Sequence, residues 1–337
     1  MTRVAINGLG RIGRATLKLL LEHTELELVA VNDLVPAETL AYLLNYDTVY
    51  GRYSRKVEAT EGRLRIGGRA CRAFSEKDPA RLPWSKEGVE LVFECTGIFL
   101  TKEDCQKHIN AGARYVVLSA PAKGDGVPTF VYGVNDLPDD MPPIFCCASC
   151  TTNCIAPVAE IMQRRIGVKK AGMTTTHAYT ATQAIVDRPA KKLRRGRAAA
   201  ANLVPTTTGA AKATALALKH YEKIFDGAAI RAPVPCGSIA DLTFLAERRT
   251  TVDELKSIFR EESTTQRYDG VLGVSDDSIV SSDVIGDSRA SIVDLDMIQV
   301  IDGDLVKIMS WYDNEWGYSS QMVRMAAAVV KRLQPVA

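Results

Sequence analysis

The sequence has no excess of charge of either sign and no long hydrophobic run. Lys and Arg together number 42, against 40 for Asp and Glu, so no global field makes nucleic acid or a membrane the expected main partner. No apolar stretch could span a bilayer, and the apolar start has the length of a strand rather than of a secretory signal. No repeat or low-complexity segment is visible, so a change of pattern is the only guide to a domain boundary.

The sequence gives little reason to expect a disulfide framework for its eight cysteines. In a 337-residue chain without a secretory signal pattern they are expected to be reduced thiols, and the protein is expected to be cytoplasmic. The length exceeds the usual size of one domain, which makes two domains the default.

A glycine-rich turn near the start of the chain predicts a dinucleotide site. An apolar strand at residues 3–7 leads into Gly8, Gly10 and Gly13, and a helical pattern follows. In this arrangement the glycines provide the tight turn, the close approach of a pyrophosphate and the packing of helix on strand. A second apolar strand ends in Asp33, where a carboxylate can accept hydrogen bonds from a ribose.

The first half of the chain alternates strands and helices. The pattern predicts a helix at 36–44, a hairpin within 56–74, a buried strand that ends in a turn at 90–97, a helix at 102–111 and a strand at 115–118. Right-handed crossovers between such elements give an open doubly wound sheet. Its ligand is expected at the carboxyl ends of the strands, near Asp33, residues 95–97 and residues 119–121.

After residue 150 longer strands replace this alternation. We predict strands at 171–179, 227–232, 238–245 and 305–312, followed by a helix at 321–333. The predicted fold class is α/β, with a doubly wound Rossmann dinucleotide-binding domain and an α+β catalytic domain whose sheet is mixed or antiparallel. The predicted domains are 1–149, with a C-terminal helix at 315–337 packing back on it, and 150–314.

Cys150 lies where an apolar strand gives way to a helix. Helix starts carry unpaired N–H groups and a partial positive charge, which favour a thiolate. With His177 downstream as a base, Cys150 is a candidate covalent nucleophile. A buried cysteine that begins a core helix, and a core histidine bonded to backbone, are the alternatives for each residue considered alone.

The motifs together resemble one family. The segments that carry the resemblance are Asn7-Gly8-Leu9-Gly10-Arg11-Ile12-Gly13-Arg14, Ala148-Ser149-Cys150-Thr151-Thr152-Asn153-Cys154, His177-Ala178-Tyr179-Thr180-Ala181-Thr182-Gln183, Thr207-Thr208-Gly209-Ala210-Ala211-Lys212 and Trp311-Tyr312-Asp313-Asn314-Glu315-Trp316-Gly317-Tyr318. Essentially the whole chain, in family order, is similar to phosphorylating glyceraldehyde-3-phosphate dehydrogenases.

The resemblance implies a thioester mechanism. Cys150 would attack the aldehyde of glyceraldehyde 3-phosphate, a hydride would pass to NAD, and inorganic phosphate would cleave the thioester to an acyl phosphate, 1,3-bisphosphoglycerate. His177 would be the general base and would hold the developing alkoxide. The family expectation is a homotetramer in glycolysis or gluconeogenesis.

The resemblance also implies binding residues. The implied cofactor contacts are Gly8, Gly10, Arg11, Ile12, Asp33, Lys77, Ser119 and Asn314, with Asn314 fixing the nicotinamide carboxamide. Of two implied anion sites, one has Thr180 and Arg231, with Thr182 as a further candidate, and the other has Ser149, Thr151, Arg195, Thr208 and Gly209. Hydroxyls and N–H groups at helix starts bind phosphate, but the threonines could equally be plain helix caps.

Two departures from the family pattern bear on cofactor and metal. Arg188 stands near the expected adenosine end of a neighbouring subunit's cofactor and could accept the 2′-phosphate of NADP, whereas the carboxylate of Asp33 would repel it, so NAD comes first. Cys146, Cys147 and Cys236 replace the usual Ser-Asn pair and Asn. The spacing of Cys146, Cys147, Cys150 and Cys154 does not suit a tetrahedral cluster, so no metal is expected, and redox sensitivity near Cys150 is the better hypothesis.

Two other functions stay open. An erythrose-4-phosphate dehydrogenase shares the cysteine motif, but that sibling typically alters both Asp33 and the segment 207–212. A non-catalytic nucleotide- or RNA-binding protein on the same fold is the second, since residues 188–197 contain a basic run. The balanced overall charge favours a subunit contact or a phosphate site for that run.

Overall fold

The computed structural model describes residues 1–333, which divide into two compact units. The first unit comprises Met1–Phe130, Leu137–Ala148 and the C-terminal residues from Met322 on, and the second comprises Val131–Asp136 and Ser149–Gln321. Each unit has its own sheet and its own buried apolar residues.

The first unit contains an eight-stranded sheet. Its elements are, in chain order, β1 (Thr2–Asn7), α1 (Arg11–Leu20), β2 (Leu26–Asn32), α2 (Ala37–Asn45), the short pair β3 (Tyr46–Asp47) and β4 (Gly51–Arg52), β5 (Val57–Thr60), β6 (Arg63–Ile66), β7 (Arg69–Phe74), β8 (Leu91–Glu94), α3 (Lys102–Asn110), β9 (Tyr115–Leu118) and β10 (Ile144–Cys146). The strand order is β10-β9-β8-β1-β2-β7-β6-β5, and the six strands from β10 to β7 are parallel.

The doubly wound prediction is confirmed by this order. β1 lies between β2 and β8, so the chain leaves β1 to one side for β2 and reaches the other side with β8. Such a reversal opens a crevice at the carboxyl ends of the strands. The residues that follow β1, β2 and β8 therefore lie together at the carboxyl ends of the strands.

The second unit contains a seven-stranded mixed sheet. Its elements are α4 (Cys150–Arg165), β11 (Val168–Ala178), β12 (Val204–Thr207), α5 (Ala210–Ala217), β13 (Phe225–Ala232), β14 (Ser238–Ala246), α6 (Val252–Ser263), β15 (Leu272–Ser275), β16 (Ser291–Ile301), β17 (Leu305–Tyr312) and α7 (Trp316–Leu333), which continues into the first unit. The order is β12-β13-β11-β14-β17-β16-β15, with parallel pairs only at β13-β11 and β16-β15. The sheet was predicted to be mixed or antiparallel, and in the structure it is mixed.

The division into units differs in detail from the predicted domain limits. The second unit begins at Ser149 and includes 131–136, and only the part of the last helix from Met322 on groups with the first unit. Residues 334–337 of the predicted C-terminal helix lie outside the described residues. No helix among the described residues is long and apolar enough to cross a membrane.

Candidate active site

A cavity of about 500 Å³ lies in the first unit at the carboxyl ends of β1, β2 and β8. Four of the predicted cofactor residues, Gly8, Gly10, Asp33 and Lys77, line it. Arg11 and Ile12 begin α1 beside it. Ser119 follows β9 and donates its backbone N–H to the carbonyl of Glu94 at 3.0 Å.

The three glycines of the turn have three different surroundings. Gly8 has a φ of +92°, and a Cβ there would lie 2.7 Å from the backbone nitrogen of Thr96. A Cβ on Gly13 would lie 1.9 Å from the carbonyl oxygen of Gly8, so only glycine lets α1 pack this closely. A Cβ on Gly10 would meet nothing within 4 Å, which leaves that face of the backbone open to a ligand.

Asp33 is held against the glycine turn. Its Oδ2 accepts the N–H of Leu9 at 2.6 Å and its Oδ1 accepts the N–H of Val35 at 2.9 Å. Carboxylate oxygens accept more than one hydrogen bond, so lone pairs remain for ribose hydroxyls. The guanidinium of Arg11 instead pairs with Asp47 at 2.5 Å. Burial raises the pKa of Asp47, but the hydrogen bond and charge of Arg11, together with the N–H groups of Tyr50 and Val49, lower it overall. The groups that Arg11 and Ile12 can offer a pyrophosphate are their N–H groups at the helix start.

A buried polar network that the sequence reasoning missed lies behind this cavity. Asn7 Nδ2 donates to Glu94 Oε2 at 2.6 Å, and Asn32 Nδ2 donates to Asn7 Oδ1 at 2.7 Å. His108 Nε2 lies 3.0 Å from Glu94 Oε2, while the indole N–H of Trp84 donates to His108 Nδ1 at 3.0 Å. Because an indole only donates, the proton of His108 is on Nε2 and points at Glu94. The network fixes Asn7, which lines the cavity.

In the second unit, Cys150 is the first residue of α4. Ser149 caps the helix, its hydroxyl accepting the N–H of Thr152 at 3.1 Å. The preceding residue, Ala148, has a φ of +57°, which turns the chain sharply into the helix. Cys150 is only partly buried, and its Sγ lies 3.3 Å from His177 Nε2. The structure therefore places the two predicted catalytic residues in contact.

Strand register brings a third predicted residue to this pair. His177 on β11 is directly opposite Arg231 on the parallel strand β13. His177 Nδ1 lies 2.7 Å from the carbonyl oxygen of Ala178 and 2.7 Å from Arg231 Nη1, and Nη1 donates to the same carbonyl at 2.9 Å. Nδ1 cannot both donate to the carbonyl and accept from Nη1. We assign the proton to Nδ1, because Nη1 has the carbonyl of Ala178 as its own acceptor and the other tautomer would set two lone pairs against each other; the approach of Nδ1 to Nη1 is then a contact between two donors. The lone pair of Nε2 then faces the thiol of Cys150.

Burial keeps both members of the pair neutral at rest. Burial, and secondly the charge of Arg231, lowers the pKa of His177 to about 3. Burial raises the pKa of Cys150, although Arg231 and hydrogen bonding to Thr151 act in the opposite direction. This direction is opposite to the lowered pKa expected from the helix start, because burial is the largest influence on the thiol. A neutral imidazole beside a neutral thiol can accept the thiol proton as the sulfur attacks.

Arg231 offers an unused donor. Its Nε is buried and has no hydrogen-bond partner within the described residues. A buried unpaired donor is costly, and a bound anion would satisfy it. Arg195, whose Nε donates to Thr206 Oγ1 at 3.1 Å, is close enough for its charge to lower the pKa of both His177 and Arg231. The positive charge around His177 therefore exceeds what the described side chains neutralise, which favours anions there.

The threonines implied for anion binding are placed differently from one another. Thr180 Oγ1 and Thr182 Oγ1 lie 2.9 Å apart at the surface, and Thr208 Oγ1, just before α5, accepts the N–H of Ala210 at 3.1 Å. Gly209 is the N-cap residue of α5. Thr151 is buried, and its hydroxyl lies 3.0 Å from the hydroxyl of Tyr312. An anion at the start of α4 would thus meet the N–H of Thr151 rather than its side chain.

Tyr312 and Ser238 support the site without having been predicted to do so. The hydroxyl of Tyr312 also contacts Thr175 Oγ1 at 2.9 Å, and its ring stands edge-on to His177 with centroids 6.0 Å apart. Ser238 Oγ lies 3.1 Å from the N–H nitrogen of Ala178 and 2.8 Å from Asn314 Oδ1. Both belong to strands distant in sequence from Cys150, so only the register of the sheet reveals them.

The remaining candidates stay outside this site. Arg188 is exposed, and its backbone N–H donates to the carbonyl of Gly196. Cys146 and Cys147 are buried in the first unit, and buried Cys236 in the second unit contacts Asp313 Oδ1 at 3.2 Å. All eight cysteines are free thiols. Among residues 1–333, no three His, Cys, Asp or Glu side chains are grouped so as to hold a metal ion.

The chain combines a doubly wound dinucleotide-binding unit with a unit that contains a Cys-His pair and an arginine with an unpaired buried donor. This is the organisation of an aldehyde dehydrogenase that works through a thioester. Two family descriptions match: "Glyceraldehyde 3-phosphate dehydrogenase, NAD binding domain" over residues 2–102 and "Glyceraldehyde 3-phosphate dehydrogenase, C-terminal domain" over 149–314. The chain belongs to the glyceraldehyde 3-phosphate dehydrogenase family. Its cofactor is NAD, as predicted.

Relatives of full length agree with the family assignment. Glyceraldehyde-3-phosphate dehydrogenase from Streptomyces coelicolor is 46% identical over 336 residues, which cover 98% of this chain and 99% of that protein. The enzyme from Thermotoga maritima is also 46% identical over 336 residues, covering 98% of this chain and 100% of that protein. The enzyme from Borreliella burgdorferi is 45% identical over 337 residues, covering 98% and 100%.

Proposed function

We propose that the protein oxidises glyceraldehyde 3-phosphate with NAD and inorganic phosphate to give 1,3-bisphosphoglycerate and NADH. The observation that carries the proposal is the contact of 3.3 Å between Cys150 Sγ and His177 Nε2, with Arg231 beside the pair. The names of the relatives support the same substrate.

The chemistry follows from the neutral pair. As Cys150 Sγ bonds to the aldehyde carbon, its proton passes to His177 Nε2, and the product is the alkoxide form of a hemithioacetal. Bound NAD would supply the acceptor for the hydride of this carbon, whose loss from the alkoxide leaves the carbonyl of a thioester. An oxygen of inorganic phosphate then attacks the thioester, the C–S bond breaks, and acyl phosphate and the thiol are released. His177 returns the proton that it accepted, and the charge of Arg231 discourages its retention.

The residues described fit an NAD molecule in the first unit. Gly10 leaves the backbone open, Gly8 and Gly13 allow the turn, and Asp33 stands ready to accept ribose hydroxyls. In this proposal Arg11 and Ile12 bind the pyrophosphate through their N–H groups, and Lys77 and Ser119 supply further contacts from the same unit. Asn314, a residue of the second unit, is assigned to the nicotinamide carboxamide.

Two anions are assigned to the second unit. Thr180 and Arg231 hold one, with the buried unpaired Nε of Arg231 as the principal support. The other is assigned to the starts of α4 and α5 and the guanidinium beside them, namely Ser149, Thr151, Thr208, Gly209 and Arg195. Backbone N–H groups at helix starts and arginine forks suit phosphate.

The wider assignment is also a proposal. The first unit is the NAD-binding domain, with limits close to 1–149 plus the last helix, and the second is the catalytic domain at about 150–314. We infer a homotetramer in the cytoplasm, which the eight free thiols suit. The erythrose 4-phosphate and non-catalytic alternatives are not favoured by the names of the relatives.

The decisive experiment is the initial rate of NADH formation from glyceraldehyde 3-phosphate and NAD, with and without inorganic phosphate. Phosphate-dependent turnover that disappears in Cys150→Ser is expected. A single burst without turnover would mean that phosphate attack fails, and no reaction with reduced thiols would overturn the proposal. Parallel assays with erythrose 4-phosphate and with NADP test the sibling substrate and the role of Arg188.

A further inference from the structure

Ser238 is a buried hydroxyl held rigidly at the start of β14. It is 1% exposed and faces Tyr312 in the register of β14 with β17. Gly237 before it has a φ of +85°, and a Cβ at that glycine would lie 2.0 Å from the carbonyl oxygen of Ser281. The backbone that leads into Ser238 is therefore closely packed, and its hydroxyl is buried between two hydrogen-bond partners.

The direction of its two hydrogen bonds is fixed by chemistry. The N–H of Ala178 can only donate, so Ser238 Oγ accepts that bond at 3.1 Å. The hydroxyl proton of Ser238 is then free to donate to Asn314 Oδ1 at 2.8 Å. A flipped Asn314 amide would leave that proton without this acceptor, so the network sets which end of the amide faces Ser238. Nδ2 of Asn314 is the end left to meet a ligand.

The same hydroxyl acts on the base. Ala178 follows His177 directly, and the carbonyl of Ala178 receives both His177 Nδ1 and Arg231 Nη1. By holding the N–H of Ala178, Ser238 fixes the peptide that joins His177 to Ala178. Ser238 thus contacts both Ala178, whose carbonyl binds His177, and the amide of Asn314, which is assigned to the nicotinamide.

We propose that Ser238 is a positioning residue which fixes the amide of Asn314 toward the nicotinamide and, through Ala178, the ring of His177. The inference rests on the proposed function, because it needs a bound nicotinamide. Ser238 itself touches no reacting atom. Its loss should therefore act on cofactor binding and on the geometry of hydride transfer, and only weakly on the thiol.

The test compares Ser238→Ala with the matched control Ser291→Ala. Ser291 is also fully buried in the sheet of the second unit, and its hydroxyl pairs with Ser310 Oγ at 2.7 Å. Both variants lose one buried hydroxyl, so both measure the structural cost. The readouts are the Kd and KM for NAD, kcat, and the face of the nicotinamide that receives deuterium from [1-²H]glyceraldehyde 3-phosphate.

Ser238→Ala is expected to raise the Kd and KM for NAD about tenfold, the equivalent of one lost buried hydrogen bond, and to place deuterium on both faces. Ser291→Ala should bind NAD like the wild type and label one face. Ser238→Thr, which keeps the hydroxyl, should recover single-face labelling. In an Asn314→Ala background, Ser238→Ala should raise the Kd for NAD no further, because the amide it orients is gone.

Equal effects of Ser238→Ala and Ser291→Ala on the Kd and on labelling would overturn the inference. So would an undiminished effect of Ser238→Ala in the Asn314→Ala background. The binding measurement needs no turnover, so it remains informative if the wild type fails to oxidise glyceraldehyde 3-phosphate. That failure would concern the proposed function, whereas unchanged NAD binding by an otherwise active Ser238→Ala variant would concern Ser238.

Discussion

The two enclosed histidines, His108 in the first unit and His177 in the second, have opposite surroundings. His108 is 0% exposed and His177 is 5% exposed, so burial alone does not separate them. The indole N–H of Trp84 donates to His108 Nδ1, and the N–H at His108 Nε2 donates to Glu94, so both ring nitrogens are engaged in hydrogen bonds. In His177, the N–H at Nδ1 donates to the carbonyl of Ala178, and the lone pair of Nε2 faces Cys150. A buried histidine can thus act as a base when one ring nitrogen keeps a lone pair that faces the reacting group. It is a structural link when both nitrogens are hydrogen-bonded to the surrounding fold.

The largest effect is expected from removing the imidazole of His177. His177→Asn retains a donor for the carbonyl of Ala178 but removes the acceptor for the proton of Cys150, so kcat/KM should fall by about 10²–10⁴-fold. Thermal unfolding should change little. Steady-state rates with thermal melts check both parts, and wild-type activity in this variant would remove His177 from the chemistry.

The opposite pattern is expected at His108. His108→Leu fills a similar volume but leaves the indole N–H of Trp84 and one bond of Glu94 unpaired, which should cost roughly 3 kcal/mol of unfolding free energy. At temperatures where the variant is folded, kcat at saturating NAD should stay close to that of the wild type. Urea denaturation and steady-state kinetics test this. A folded but inactive variant would break the comparison between the histidines.

Arg231 is expected to set the pH response of the pair. Its charge lowers the pKa of His177 and also that of the Cys150 thiol. In Arg231→Gln both pKa values should rise, so the acid limb of activity should move toward neutral pH, and iodoacetamide should alkylate Cys150 severalfold more slowly at pH 7. Arg231→Lys keeps the charge and should resemble the wild type in alkylation. Identical alkylation profiles for Gln and Lys would show that the charge is irrelevant.

The smallest effect is expected from the ring that borders His177. Tyr312→Phe keeps the aromatic edge against the imidazole but removes the hydroxyl between Thr151 and Thr175. The loss should be about 1 kcal/mol of unfolding free energy, with little change in kcat. Chemical denaturation alongside kinetics provides the measurement. A large fall in kcat would mean that the hydroxyl orients His177 or the start of α4.

The first unit was more predictable from sequence than the second. A dinucleotide-binding turn depends on backbone geometry within a few residues, so the local sequence with Gly8, Gly10 and Gly13 is enough to predict it. Asp33 follows at the end of the next strand. Family resemblance located Cys150 and His177. It could not indicate their protonation, because the pKa values depend on burial among residues from distant strands.

The elements and partners that sequence reasoning missed have identifiable causes. The helix α6 and the strand β16 were overlooked, although Thr251 caps α6 through the N–H of Glu254 and the amphipathic pattern was available. Ser238 and the carbonyl of Ala178 could not be found, because their roles depend on strand register and on hydrogen-bond direction. Short polar residues in strands carry no local signal of that kind.

The chain of hydrogen bonds behind the dinucleotide cavity has a spectroscopic consequence. Trp84 is one of three tryptophans, and its indole proton is linked through His108 and Glu94 to Asn7, which lines the cavity. The indole ¹H–¹⁵N resonance of Trp84 should therefore shift when a dinucleotide contacts Asn7. In ¹⁵N-labelled protein the indole of Trp84 should therefore report cofactor occupancy in the first unit without any engineered probe.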